Sequence, residues 1–176
     1  NRGAALRILK RFEDALISYD KAVEFQPHNA KLHLNRGNAL KEYGLLIEAL
    51  ICYKRAIEIQ PQYALAYFNQ GLVFIALGQV EDALNSYSNA ITLKPDYVDA
   101  LNARGDILLW SLNRFNEAMV DYDRLIQIQP SHAKSYASRG VALFELNRIS
   151  EALASYERAI KLNDQDAHVY YNQGNA

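Results

Sequence analysis

Residues 64–97 read ALAYFNQGLVFIALGQVEDALNSYSNAITLKPDY, and this stretch holds the pattern that decides the fold. Its small and apolar residues fall at helical spacing in two runs, and Gly78 separates the runs. Glycine tolerates the left-handed conformation that ends many helices. Pro95 follows the second run, and proline cannot donate the next helical hydrogen bond. The stretch therefore predicts two helices joined by a short turn.

The same pattern recurs along the chain. Six glycines are spaced 34, 34, 34, 35 and 34 residues apart, at Gly3, Gly37, Gly71, Gly105, Gly140 and Gly174. Equivalent columns hold Pro27, Pro61, Pro95 and Pro130, Tyr19, Tyr53, Tyr87, Tyr122 and Tyr156, and Ala15, Ala49, Ala83, Ala118 and Ala152. We therefore predict a single array over 1–176, with a partial repeat 1–29, full repeats 30–63, 64–97, 98–132 and 133–166, and a partial repeat 167–176.

The repeated residue types indicate close helix packing. A glycine on the first helix and two small residues on the second let the backbones approach each other. The tyrosine between them is expected to fill the gap to the next repeat, with a hydroxyl that can reach the surface. Such a helix pair cannot bury its apolar face alone, so it must stack on further copies. The turns between the paired helices are expected to use left-handed residues, namely Gly44, Gly78, Asn113 and Asn147.

The 34-residue period and the G…A…Y…A…P pattern resemble the tetratricopeptide repeat over essentially the whole chain. This resemblance implies an all-α, right-handed superhelical solenoid of antiparallel helix-turn-helix repeats. It also implies a concave groove lined by the first helices, which takes a peptide or partner protein. Three departures stand out: Leu125 replaces a small residue, Asp164 replaces a proline, and polar residues precede the glycines, which predicts a more solvated edge at Arg36, Gln70, Arg104, Arg139 and Gln173.

The fourth repeat carries one extra residue. Alignment of residues 108–119 with 142–153 places it between Gly105 and Leu109, inside the first helix. An inserted residue within a helix is most simply absorbed as a π-bulge, which would redirect Trp110. The alternative is a shifted helix start or end.

Composition and motifs favour a protein without catalytic chemistry. The 176 residues carry a formal net charge of −1, with no run of like charges and no long apolar segment. Nucleic-acid and membrane binding are therefore not expected, and neither is a secretion signal. The histidines show no metal-ligand spacing and no phosphate-binding glycine loop is present. His33 is expected to be a partly buried packing residue, and we predict no cofactor, no metal and no enzymatic activity.

Cys52 has no intramolecular disulfide partner. Its column otherwise holds Ser18, Ser86, Asp121 and Ser155, so we expect a partly exposed thiol that is a tolerated replacement, with accidental intermolecular oxidation as the alternative. A reducing compartment suits such a residue, and we expect a cytoplasmic location.

The groove can be assigned residue by residue from helical spacing. The predicted peptide-binding residues are Lys31, Asn35, Asn38, Phe68, Asn69, Leu72, Ile75, Asn102, Asp106, Trp110, Ser138, Phe144 and Asn172. The apolar members could form an exposed binding strip, or neighbouring helices could cover them. An asparagine column could bind a peptide backbone or could bond within and between helices, at Asn1, Asn35, Asn69 and Asn172.

Three functions follow as hypotheses. The leading one is a non-enzymatic scaffold that binds a peptide or partner protein. The asparagine column resembles the substrate-recruiting repeats of O-linked N-acetylglucosamine transferase-like proteins, so a recruiting arm of a larger enzyme is the second. The third is end-to-end self-association, since no capping helix covers the terminal repeats. Chaperone-tail binding is not expected, because Leu34, Asp99 and Ala103 occupy columns that should be basic.

Overall fold

The computed structural model describes residues 2–163 and 167–176, and within helix α11 it leaves the side chains of 167 and 168 undescribed. Asn1 and Asp164, singled out above, lie outside the described residues. The described residues form eleven α-helices: α1 Arg2–Ile8, α2 Phe12–Phe25, α3 Ala30–Tyr43, α4 Leu46–Ile59, α5 Ala64–Ala76, α6 Val80–Leu93, α7 Val98–Trp110, α8 Phe115–Ile128, α9 Ala133–Glu145, α10 Ile149–Leu162 and α11 Ala167–Asn175. The prediction of an all-α repeat fold is confirmed.

The helices fall into two compact units, Asn1–Pro95 and Asp96–Ala176. In the first unit α1 packs on α2, α3 on α4 and α5 on α6, while α2 also packs on α3 and α4 on α5. In the second unit α7 packs on α8, α9 on both α8 and α10, and α11 on α10. We call the first helix of each pair the A helix (α1, α3, α5, α7, α9, α11) and the second the B helix.

The core of each pair is a glycine facing a tyrosine. A β-carbon added to Gly37 would lie 2.6 Å from Cε1 of Tyr53, and one added to Gly71 would lie 2.5 Å from the same atom of Tyr87. The tyrosine ring therefore occupies the space that a side chain on the A helix would need. Tyr53 also belongs to a buried cluster with Ala66 and Val73 of the next A helix, as predicted for a residue that fills the gap between repeats.

The hydroxyls of these tyrosines do not reach the surface. The five tyrosines of the column are at most 2% exposed, so this part of the prediction was wrong. Two of the hydroxyls donate to A-helix side chains instead, from Tyr53 to Asn38 Oδ1 at 2.8 Å and from Tyr122 to Asp106 Oδ1 at 2.9 Å. Burial raises the pKa of Tyr156 to about 12. A buried phenol hydroxyl needs a hydrogen-bond partner. For Tyr53 and Tyr122 a side chain of the A helix in the same helix pair is that partner.

The turns within the pairs use left-handed residues as predicted. The φ angle is 92° at Gly44, 74° at Gly78, 53° at Asn113 and 58° at Asn147. The B helices end two residues before the prolines, and α10 ends at Leu162, the same place in its repeat, although Asp164 follows. Helix α10 therefore ends at the equivalent place without a proline two residues later.

The predicted π-bulge in the fourth repeat was wrong. Helix α7 is a continuous α-helix of 13 residues, the same length as α5 and α9. Residues 111–114 form its turn, whereas the third repeat uses only 77–79. The amide of Arg114 donates to the carbonyl of Leu108 at 2.7 Å and closes this wider turn. The extra residue therefore lies in the turn, where it breaks no interior helical hydrogen bond, and α7 begins and ends at the same places relative to its glycine as α5 and α9 do.

Candidate functional site

The predicted groove residues all lie on the A helices. In the first unit α3 and α5 contact each other, and in the second α7 contacts α9. The face of each unit is described separately below, beginning with the apolar row on α5.

Helix α5 carries four apolar side chains in one row. Leu65 and Ile75 at its two ends are each 41% exposed, while Phe68 and Leu72 between them are half-buried. The Phe68 ring lies 5.7 Å from the ring of Tyr87, which covers part of it. The helix contains no charged residue. Exposed apolar rows of this kind are typical of binding surfaces.

The residues of the asparagine column lie at different depths within each unit. Asn35 and Asn172 are partly exposed, whereas Asn69 is only 7% exposed and Ser138 only 5%. The side chains of Asn35 and Asn69 form no hydrogen bond to any described residue. Their amides are therefore unused by the fold, as a peptide-binding amide should be.

Three other predicted groove residues already form hydrogen bonds within their own unit. Asn38 accepts from Tyr53, and Asp106 accepts both from Tyr122 and from Lys134 Nζ, the latter at 2.7 Å. Asn102 donates to the carbonyl of Val98 in the same helix, at 3.1 Å, and its Oδ1 atom is buried without a partner. Asn38 and Asp106 thus join helices and Asn102 bonds within its own helix, so all three are less available to a ligand than the sequence suggested.

The remaining predicted residues divide between exposed and packed positions. Trp110 is 61% exposed at the end of α7, and Lys31 is exposed in the first turn of α3. Phe144 is half-buried against the cluster around Leu143. The structure therefore places the apolar groove residues of the second unit at different depths.

A buried polar row runs between the A and B helices. The sequence pattern predicted a more solvated edge at these positions. The members of the row are the residues before four of the periodic glycines (Gly37, Gly71, Gly105 and Gly140) and a partner 16 or 17 positions later. The bonds are Arg36 Nη1 to Cys52 Sγ at 3.1 Å, Ser86 Oγ to Gln70 Oε1 at 3.3 Å, Arg104 Nη2 to Asp121 Oδ1 at 2.6 Å, and Arg139 Nη1 to Ser155 Oγ at 2.7 Å. The edge is therefore hydrogen-bonded between the helices, while its arginine side chains stay 23–33% exposed.

Two of these arginines also reach the preceding repeat. Arg36 donates to Asp20 on α2, and Arg139 donates to Asp123 on α8, each at 2.6 Å. The signal was present in the sequence, because an aspartate stands 16 residues before each of the two arginines. Each arginine thus links two consecutive B helices.

Cys52 is buried, and the expectation of a partly exposed thiol was wrong. It is 3% exposed, and Ser86, Asp121 and Ser155 in the same column are equally buried. Burial raises the pKa of the Cys52 thiol, although the bond from Arg36 opposes this. These column residues are polar because they hydrogen-bond to the arginine or glutamine of the buried polar row. They do not face water.

The Cys52 thiol should therefore resist modification in the folded protein. We expect iodoacetamide to alkylate it at least about tenfold more slowly in buffer than in urea, since the thiolate is the nucleophile and burial disfavours it. Mass spectrometry of timed samples measures this rate. Cys52→Ser, which reproduces the serine of other repeats, serves as the unlabelled control, and equal rates in buffer and urea would contradict the burial.

His33 is packed within the fold, and the described residues show no metal-binding group. His33 is 9% exposed and its Nε2 lies 2.9 Å from the carbonyl oxygen of Pro27, which confirms a packing role. No three His, Cys, Asp or Glu side chains in the described ranges are grouped so that they could hold a metal ion. None of the described helices is both long enough and apolar enough to cross a membrane.

Comparison with protein families gives matches along most of the chain. The TPR repeat model matches residues 3–44, 42–78, 71–109 and 140–176. A second model, described as tetratricopeptide repeat, matches residues 98–132. Comparison with curated protein sequences gives no match.

Several solved structures share the fold. YrrB, described as a TPR protein with an unusual peptide-binding site, is 22% identical with a TM-score of 0.82, over 98% of this chain and 88% of that one. A crystal structure of MamA is 24% identical with a TM-score of 0.83, over 96% and 98%. A tetratricopeptide repeat protein from Parabacteroides merdae is 21% identical with a TM-score of 0.82, over 99% and 69%. At these identities the similarity shows the fold alone.

Proposed function

Because the chain belongs to the tetratricopeptide repeat family, we propose that it is a non-enzymatic scaffold that binds an extended peptide or a partner protein along the face of its A helices. Family membership supports a protein-interaction scaffold in general. The peptide-binding face is the more specific part of the proposal and rests on the side chains of this chain.

The observation that carries the proposal is the row on α5. Two large apolar side chains at its ends are 41% exposed, and the helix between them has no charge to favour hydration. Leaving such surface in water costs roughly 25 cal/mol per Å², which a partner would recover by covering it. The unbonded amides of Asn35 and Asn69 lie on neighbouring helices and could bond a peptide backbone, which has the same donors and acceptors at every residue. YrrB offers a parallel, since it is described as having a peptide-binding site.

The proposal is tested with peptides selected from a random library against the wild-type chain. We expect Leu65→Ser with Ile75→Ser to weaken these peptides at least about tenfold, because both side chains lose apolar contact area. Fluorescence anisotropy measures the affinity. The matched control is Ile51→Ser, which changes a 64% exposed isoleucine on the B helix α4 and should leave binding unchanged.

The melting temperature separates binding from stability in this test. All three positions are exposed, so the variants should melt within about 2 °C of wild type. Unchanged affinity of the α5 variant, or an equal loss in Ile51→Ser, would refute the assignment of the face.

A further inference from the structure

The row on α5 has the spacing of a helix-packing seam. Leu65, Phe68, Leu72 and Ile75 are separated by three, four and three residues, which is the a-d-a-d spacing of a heptad repeat. At 1.5 Å per residue the row is about 15 Å long, with steps of about 4.5, 6 and 4.5 Å. A second α-helix with its own heptad stripe repeats at these same steps.

An extended peptide does not match this row. Side chains on one face of a strand are about 6.8 Å apart, so four of them span about 20 Å. A strand laid along α5 would lose register with the row within its length. The seam therefore favours a helical occupant over an extended one along this helix.

The neighbouring helix supplies positive charge in the same columns. Positions equivalent to the α5 row are Lys31, Leu34, Asn38 and Lys41 on α3. A lysine thus stands at each end of the α3 row, and neither forms an ion pair with a described residue. The one acidic side chain of α3, Glu42, already pairs with Arg7. The surface beside the apolar row therefore carries two cations that lack a carboxylate.

The surroundings of Lys41 agree with this charge imbalance. Burial lowers the pKa of its ammonium group, Glu42 opposes the shift, and Arg7 adds to it. A carboxylate supplied by a partner would stabilise the charged form.

We propose that the first unit binds an amphipathic α-helix, whose apolar stripe packs along α5 and whose acidic flank pairs with Lys31 and Lys41 on α3. This deepens the proposed function and rests on its partner-protein form, because it assigns a helical segment of the partner, instead of an extended peptide, to the same face. One helix reaches both features, since α3 and α5 contact each other and packed helices lie about 8–10 Å apart. The absence of charge on α5 leaves nothing to repel the apolar stripe.

The probe is a synthetic peptide of about three heptads with leucine at positions a and d and glutamate at the flanking positions e and g. The glutamates also disfavour pairing of the peptide with itself. We expect fluorescence anisotropy to show binding, and circular dichroism to show added helicity in the mixture. Three comparison peptides are used. The first has lysine in place of glutamate, and the second has the same composition as the acidic peptide with its leucine stripe scrambled. The third has alternating leucines interrupted by proline.

The acidic helix should bind at least about tenfold more tightly than its lysine counterpart, and the scrambled peptide should not bind. Charge reversal sharpens the result, because Lys31→Glu with Lys41→Glu should shift the preference toward the lysine peptide. Lys31→Glu alone, at an exposed site, provides the charge-reversal test if the double variant does not fold. The preference should also weaken at 1 M salt, where charges are screened within about 3 Å.

Two outcomes would overturn this inference. If only the proline-interrupted peptide binds, and Leu65→Ser with Ile75→Ser abolishes that binding, the face binds extended peptides and the proposed function stands without the helix. If the acidic and lysine peptides bind equally, or none of the peptides binds, the helical acidic partner is refuted. Library-selected peptides that depend on α5 would still support the proposed function in that case.

Discussion

Replacing Gly140 with alanine is expected to lower the free energy of unfolding by about 2 kcal/mol, the net of a steric penalty and a smaller gain in helix propensity. The added Cβ would lie 2.5 Å from Cε1 and 2.6 Å from Cδ1 of Tyr156. That ring is 1% exposed and cannot swing into solvent, so the helices must separate. Urea unfolding followed by circular dichroism measures the loss.

The matched control uses the same column in the same unit. A β-carbon on Gly105 would meet Tyr122 only at 3.2 Å, so Gly105→Ala should change stability by no more than about 0.5 kcal/mol. In this pair Leu125 stands where other repeats have alanine, and the wider clearance is consistent with that larger residue.

A double variant isolates the ring as the cause. In a Tyr156→Leu background the aromatic atoms facing Gly140 are gone, so Gly140→Ala should cost little or nothing further. An equal cost with and without the ring, or equal losses at Gly105 and Gly140, would contradict steric exclusion by the tyrosine.

Much of the fold could be predicted from the sequence because close packing restricts which residues fit. A glycine facing a buried ring and a left-handed residue in a two-helix turn each tolerate few alternatives, so they recur at a fixed period. Gly71 with Tyr87, and Gly78 with its φ of 74°, show both kinds of restriction. Such positions give a sequence signal stronger than hydrophobicity alone.

The prediction errors occurred where one sequence feature is compatible with two different placements in the structure. The extra residue of the fourth repeat could enter α7 or the turn at 111–114, and local sequence similarity pointed to the helix. The cost of breaking interior helical bonds favoured the turn. Cys52 was expected at the surface because its column is polar, but polarity there serves the buried bond from Arg36.

The candidate site was harder to predict for a related reason. Helical spacing predicted an exposed face, and of its residues Ile75 and Trp110 are exposed whereas Asn69 and Ser138 are buried. Spacing alone does not show which polar side chains are already bonded, so Asn38 and Asp106 looked as available as Asn35. The depth and the hydrogen bonding of a side chain depend on the neighbouring helix, which the periodic pattern does not describe.

The second large effect is expected at the most buried charge of the polar row. Asp121 is 1% exposed and is held by two bonds from Arg104, Nε to Oδ2 at 2.9 Å and Nη2 to Oδ1 at 2.6 Å. We expect Arg104→Gln to lower the free energy of unfolding by about 3 kcal/mol at neutral pH, since it leaves a buried carboxylate without its partner. Urea unfolding at several pH values measures the effect.

The pH dependence has a definite sign. Burial already raises the pKa of Asp121 in the folded protein, although Arg104 opposes the shift, and loss of the arginine should raise it further. A carboxyl whose pKa is higher in the folded than in the unfolded state contributes stability at low pH and loses it as the pH rises through the folded pKa. Arg104→Gln should therefore lie closest to wild type near pH 4 and furthest below it near pH 7.

A pair taken from another repeat provides the control. Gln70 and Ser86 occupy the equivalent positions, and the serine hydroxyl donates to the glutamine oxygen at 3.3 Å. Adding Asp121→Ser to Arg104→Gln recreates that neutral pair, so the double variant should recover most of the lost stability and lose the added pH dependence. A single variant whose deficit is constant between pH 4 and 7, or a double variant no more stable than the single one, would show that the unpaired Asp121 carboxylate is not the cause. Recovery would mean that the row requires matched partners rather than charge, which is why one fold accommodates arginine in some repeats and glutamine in others.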